Sequence, residues 1–145
     1  NSNSETMNLT RILLFTFLWC ASVMNGFAQK SVTYQLSTHM LDISKGQPAP
    51  HVTVTLYKLD SITDNWKQIT TGKTDENGRI ANLLPLPKDN SGIYKLKFET
   101  TPYFKAQNLK SIYPYVEVVF RIEGKGHYHI PITMSANGYS TYRGN

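Results

Sequence analysis

The sequence predicts an all-β fold, a two-sheet sandwich with one short helix, on three observations. Apolar and polar residues alternate with period two over several runs, and those runs are filled with β-branched and aromatic residues. Clusters of Gly, Pro, Asn and Asp separate them at short, regular spacing, as expected of a sandwich. Successive side chains of a strand point to opposite faces, so each run buries one of them. A length of 145 residues with 40% hydrophobic content suits one domain.

The first stretch is set apart from that fold. Met7 opens a short segment carrying Arg11, followed by an apolar run over 12–23 and the small-residue sequence Gly26-Phe27-Ala28. This pattern is read as a signal peptide cleaved after Ala28, with residues 1–28 a leader and 29–145 the domain. The run falls short of the roughly 20 apolar residues of a membrane span, so no membrane association is expected after cleavage. Export to the periplasm or the medium follows. Asn1 to Thr6 precede Met7 and have no assigned role. Cys20 is the single cysteine, and the bulky Trp19 before it does not suit lipoprotein processing. The domain therefore contains no thiol, and its stability must come from packing.

Strands are predicted over 32–38, 52–59, 66–74, 93–100, 115–123 and 127–134, with a short one after Arg79. The connections at 44–50, 75–78 and 84–92 carry turn chemistry, and 102–109 is the one helical segment. Pro131 cannot donate to a ladder, which places the last strand at an edge or gives it a bulge there. The net charge of +5 is spread along the chain. Lys95 and Lys97 come nearest to a basic stripe and read as a solvated face, not a nucleic-acid footprint.

Four groups of residues could carry chemistry. His127 and His129 share one strand face, opposite Tyr128 and Ile130, and read either as a surface pair flanking a core tyrosine or as half of a zinc site. His39 or His51 would be the third zinc ligand. His39 sits at the end of the first predicted strand, before a Gly/Pro turn. Arg79 follows the turn Asp75-Glu76-Asn77-Gly78 and by itself reads as a solvated guanidinium beside a hairpin. The C-terminal run G-Y-S-T-Y-R-G-N, with Tyr139, Tyr142 and Arg143, is predicted to be docked. No nucleophile elbow, phosphate loop or zincin helix is present, and composition and spacing alone stop at a β-sandwich.

The motifs in order resemble those of the 5-hydroxyisourate hydrolases of the transthyretin-like family. S-T-H-M-L-D-I-S-K-G-Q-P-A looks like that family's opening signature, T-D-E-N-G-R like its central arginine motif, and H-Y-H-I-P-I-T-M-S with G-Y-S-T-Y-R-G like its closing pair. The resemblance implies a transthyretin-like sandwich of about eight strands with one short helix. It implies a homotetramer with its sites in a channel between dimers. The implied activity is hydrolysis of 5-hydroxyisourate to 2-oxo-4-hydroxy-4-carboxy-5-ureidoimidazoline in urate degradation; the alternative is a transthyretin-like carrier of a small aromatic ligand. His39, Arg79 and His129 match the family's catalytic positions. His127, Tyr142 and Arg143 join His39 and Arg79 as substrate-site positions. The family usually ends Y-R-G-S, and this chain ends Y-R-G-N, so Asn145 stands at the last site position; its amide can still donate and accept.

For that reaction one imidazole, either His39 or His129, would deprotonate water while the other donates, since an unperturbed histidine titrates near 6.5. Arg79 offers a planar fork of donors to the carbonyl oxygens of a flat ring. Tyr142 could stack on that ring, and Arg143 could hold the tail. The chemistry calls for no cofactor and no metal.

Overall fold

The computed structural model describes residues 31–144, with a compact unit that begins at Val32. The predicted signal peptide, Cys20 and Asn145 lie outside the described residues. Among the described residues, ten strands and one helix follow in order: β1 (Leu36–Asp42), β2 (Gln47–Pro48), β3 (Thr53–Asp60), β4 (Asn65–Lys73), β5 (Arg79–Ile80), β6 (Gly92–Phe98), α1 (Thr100–Lys105), β7 (Val116–Ile122), β8 (Tyr128–His129), β9 (Ile132–Ser135) and β10 (Gly138–Thr141). No helix among the described residues is long and apolar enough to cross a membrane.

The strands form the two sheets of an all-β sandwich, the fold class that the alternation predicts. One has the order β4-β3-β6-β7, entirely antiparallel. The other is built around β1, in the order β10-β9-β1-β2, with β5 and β8 also paired to β1. β1 runs parallel to β8 and β9 and antiparallel to β2 and β5. It thereby brings together stretches of chain about 40 and 90 residues downstream of itself.

Alternation decides what β1 buries. Leu36, Thr38, Met40 and Asp42 face the core, and Ser37, His39 and Leu41 face away. Leu36 and Met40 meet Ile132 and Met134 of β9, and across the sandwich Val54, Leu56, Leu96 and Phe98 of the other sheet. Phe104, 2% exposed, anchors α1 to that core. The two buried polar groups of β1 are satisfied, as buried polar groups must be. Thr38 Oγ1 donates to Ile130 O at 2.7 Å, and Asp42 accepts Tyr103 Oη–H at 2.9 Å and the Ser44 amide at 3.0 Å. Desolvation, and then the Asp42 carboxylate, push the Tyr103 phenol up to about 12.

Several boundaries depart from the periodicity. The first strand starts at Leu36, not 32, and runs on to Asp42, so His39 lies inside it and not at its end. The predicted last strand is neither at an edge nor bulged: β9 lies between β1 and β10, and the ladder breaks at Ile130–Pro131 without losing register on β1. The missing proline amide is absorbed by that break, and the Thr141 hydroxyl takes up Pro131 O at 2.9 Å. β2 forms inside a segment predicted as turn. Lys95 and Lys97 do not form a solvated stripe. Lys95 sits 3.3 Å from Glu117 and over the Trp66 ring, and Lys97 is 3.0 Å from Glu99 and over Tyr115.

Candidate active site

The outward face of β1 collects the sequence-predicted residues. His39 is the direct cross-strand partner of Arg79, and Ser37 is the partner of His129. Two residues apart on one strand, Ser37 and His39 point the same way, so Arg79, His39 and His129 converge on one face although they come from three distant segments.

Arg79 is delivered by a tight turn. The Asp75 carboxylate accepts the amides of Asn77 at 2.9 Å and Arg79 at 2.8 Å, and the Gly78 amide donates to Asp75 O at 2.8 Å. Gly78 has φ +71°, and its carbonyl accepts the Met40 amide at 2.8 Å. A Cβ at Gly78 would lie 2.5 Å from Met40 O, so only glycine lets the turn dock on β1 at this register. Asp75 is thus engaged by the backbone, and among the described residues Arg79 forms no salt bridge.

Both histidines of the β8 segment meet one hydroxyl. Ser37 Oγ lies 2.8 Å from His129 Nδ1 and 2.9 Å from His127 Nε2, and His127 Nδ1 lies 3.2 Å from Tyr34 O. Tyr128 and Ile130 are buried on the opposite face, as alternation requires. His39 has no such string: its Nε2 is buried without a hydrogen-bond partner. An unpaired buried nitrogen is unfavourable unless something arriving satisfies it, which marks a place for a ligand group.

Electrostatics keep the two central rings neutral. Burial lowers the pKa of His39 below its ordinary 6.5, and the Arg79 guanidinium lowers it further against the opposing pull of the Asn77 backbone and Asp75. Burial also lowers His129, followed by Arg79, His39 and His127. Arg79 therefore acts on both rings. A guanidinium with uncharged imidazoles beside it can polarise a carbonyl and accept a proton from water at one place.

The tail is docked. β10 pairs with β9, and the Gly144 amide then donates to His129 O at 2.8 Å. A Cβ at Gly144 would come within 2.6 Å of His129 Cδ2 and 3.3 Å of Cγ, so the chain passes flat along the imidazole only because residue 144 is glycine. Arg143 turns away from the imidazole face and lies 4.3 Å over the Tyr128 ring, a cation–π contact that holds the tail. Tyr142 is 59% exposed, beside Pro131 by the β9–β10 register.

His51, the other candidate zinc ligand, is held by Glu76 at 2.8 Å, and among the described residues no three His, Cys, Asp or Glu are grouped to hold a metal ion. Two residues escaped the sequence reading, Ser37 and Gly144. The first was within reach, since period two puts residue 37 on the face of His39; the second needed the tail's path.

Known proteins resemble this chain in sequence and in fold. Residues 36–144 match the model of the HIUase/Transthyretin family. A probable 5-hydroxyisourate hydrolase of Caenorhabditis elegans is 43% identical over 129 residues, covering 88% of this chain and 94% of that protein. The 5-hydroxyisourate hydrolase of Mus musculus is 39% identical over 110 residues, covering 75% and 93%. The crystal structure of sea bream transthyretin in complex with thyroxine superposes with a TM-score of 0.71 at 32% identity, covering 75% of this chain and 93% of that one.

Proposed function

This chain belongs to the HIUase/transthyretin family, and from that premise we propose that it is a 5-hydroxyisourate hydrolase, opening the cyclic amide of an oxidised purine to give 2-oxo-4-hydroxy-4-carboxy-5-ureidoimidazoline. The observation that carries the reading is the convergence of His39, Arg79 and His129 on one sheet face, with the guanidinium acting on both rings.

Water is too weak a nucleophile for an amide carbonyl at neutral pH and needs its proton removed as it attacks. A neutral imidazole accepts that proton. Arg79 holds the carbonyl oxygen and stabilises the negative charge that grows on it. As the ring amide breaks, the imidazolium returns its proton to the leaving nitrogen, so the sequence consumes one water and leaves the enzyme unchanged. The orphaned Nε2 of His39 faces the substrate's polar edge, and Tyr142 covers its plane.

The sea bream neighbour was crystallised with thyroxine, but a wall of imidazoles and guanidinium does not suit a largely apolar ligand. We propose further that the protein is a homotetramer, its outward imidazole face and the 59% exposed Tyr142 covered by the opposing pair of subunits. Arg11, the apolar run 12–23 and Gly26-Phe27-Ala28 support cleavage after Ala28 and export to the periplasm or the medium.

The test generates 5-hydroxyisourate in place with urate oxidase and follows its ultraviolet decay with the chain from residue 29. Wild-type protein accelerates decay; decay unchanged by the protein overturns the reading. Light scattering gives the subunit count, and mass spectrometry of the exported protein gives its first residue.

A further inference from the structure

We propose that Ser37 and His127, anchored on the Tyr34 carbonyl, form a one-way hydrogen-bond relay that fixes the proton of His129 on Nδ1 and makes its Nε2 the nitrogen that takes the proton of the attacking water. This rests on the hydrolase reading, and it assigns the base that the residue types alone left open between His39 and His129.

The direction follows from what each atom can do. Tyr34 O only accepts, so His127 Nδ1, 3.2 Å away, carries the proton. In a neutral ring that leaves a lone pair on His127 Nε2, which must accept from Ser37 Oγ–H at 2.9 Å. The serine has one proton and has spent it there. Towards His129 its oxygen can only accept, so His129 Nδ1 donates across 2.8 Å and the lone pair of that ring is on Nε2. Running the string the other way would set a bare Nδ1 lone pair of His127 against the carbonyl, which loses a hydrogen bond and adds repulsion.

Both ends are held by backbone. Tyr34 is bridged to Pro85, and the neighbouring Gln35, fully buried, ties down the loop before His127 through Gly124 O at 2.9 Å and Gly126 O at 3.0 Å. Ser37 O accepts the Ile130 amide at 3.0 Å, which locks the serine beside the His129 segment. Gly144 lies along the Cδ2 edge of the ring. Ser37 is therefore a positioning residue, acting through His129 and not on the substrate, and the H-x-H pattern is one working imidazole and one that sets its tautomer.

The experiment is long-range ¹H–¹⁵N correlation of the ¹⁵N-histidine-labelled full domain at pH 8, above the ordinary imidazole range, together with the hydroxyisourate assay. Wild type shows His129 protonated at Nδ1. His127→Ala frees the serine proton to turn, and the His129 signals move towards the Nε2–H form. In Ser37→Ala the tautomers mix and kcat falls by about 10- to 100-fold, short of the ~10²–10⁴ of removing a general base, while KM stays within about threefold; Ser37→Thr restores both spectrum and rate. A wild-type His129 protonated at Nε2, or a Ser37→Ala protein with unchanged spectrum and kcat, overturns the relay with the hydrolase reading intact. Loss of the hydrolase reading shows instead as no turnover by wild type, and the spectrum still decides the relay.

Discussion

The two sheets show opposite ways of managing an outward face. On the β4-β3-β6-β7 sheet, Lys95 and Lys97 are each neutralised by a carboxylate, at 3.3 and 3.0 Å, and covered by aromatic rings 4.6 and 4.4 Å away. On the β1 sheet, Arg79 has no carboxylate partner among the described residues, and the His39 Nε2 is buried and unbonded. One face has its interactions satisfied within the fold. The other is left to be completed by something that binds. A surface built for chemistry forgoes stabilising pairs, because a guanidinium already paired would have less field to spend on a substrate oxygen.

The sharpest way to break that contrast is to remove side chains of the reactive face. Arg79→Ala and His129→Ala are each expected to lower kcat/KM by at least the ~10²–10⁴ of a lost general base or polarising donor. The thermal midpoint of Arg79→Ala should hold or rise, since the guanidinium forms no salt bridge among the described residues and its charge disfavours protonation of both rings. Differential scanning calorimetry beside the assay checks this; a midpoint several degrees lower would mean that Arg79 has a structural partner after all.

Gly144→Ala follows in size. The added methyl meets His129 Cδ2 at 2.6 Å, so the ring or the tail must shift. A displacement near 1 Å at a reacting group can cost ~10²-fold. The expected result is a kcat reduced by about one to two orders of magnitude in a folded protein, and a crystal structure of the variant should show the imidazole rotated off Ser37.

Part of this was legible in the sequence. Alternation through H-Y-H gave the facing of both imidazoles and the burial of Tyr128, because a strand's period is fixed by its geometry. Arg79 was singled out only by the resemblance of T-D-E-N-G-R to the family's arginine motif, since the turn by itself reads as ending in a solvated guanidinium, and two tyrosines with an arginine pointed to a docked tail. What periodicity could not supply was partnership across the chain. The start of β1 is set by its pairing with β8 and β5, so local pattern placed it four residues early and put His39 at a rim. The lysine stripe was misread for the same reason: Glu117 and Trp66 reach Lys95 from other strands. Gly144 is informative only once His129 is known to lie beneath it.

Acid distinguishes the faces more gently. His39 and His129 have folded pKa values below the ordinary 6.5, through burial first and Arg79 second. Below about 6.5 the unfolded chain therefore binds protons that the folded chain refuses, and stability must fall as pH falls. The contribution is fully present above that value and is lost as pH drops through the lowered folded ones. Turnover should persist below pH 6.5 for the same reason, as the base stays neutral. In Arg79→Gln both histidines should titrate higher by NMR while staying below 6.5, because burial remains.

The smallest effect is expected on the satisfied face. Lys95→Met removes a cation that is mostly covered, lying over Tyr57 and Trp66 and beside Glu117. Its ion pair and ring contacts are each worth about 0.5–1 kcal/mol at partly exposed sites. The methionine keeps part of the packing between the same rings, which offsets some of that loss. A destabilisation on the order of 1 kcal/mol by urea unfolding, with hydroxyisourate turnover unchanged, is the expected outcome. Adding Glu117→Gln to Lys95→Met should then cost less than the carboxylate change does alone, because its partner has already gone. If turnover also fell, the two faces would be coupled through the core, and the division between a face that stabilises and a face that reacts would have to be given up.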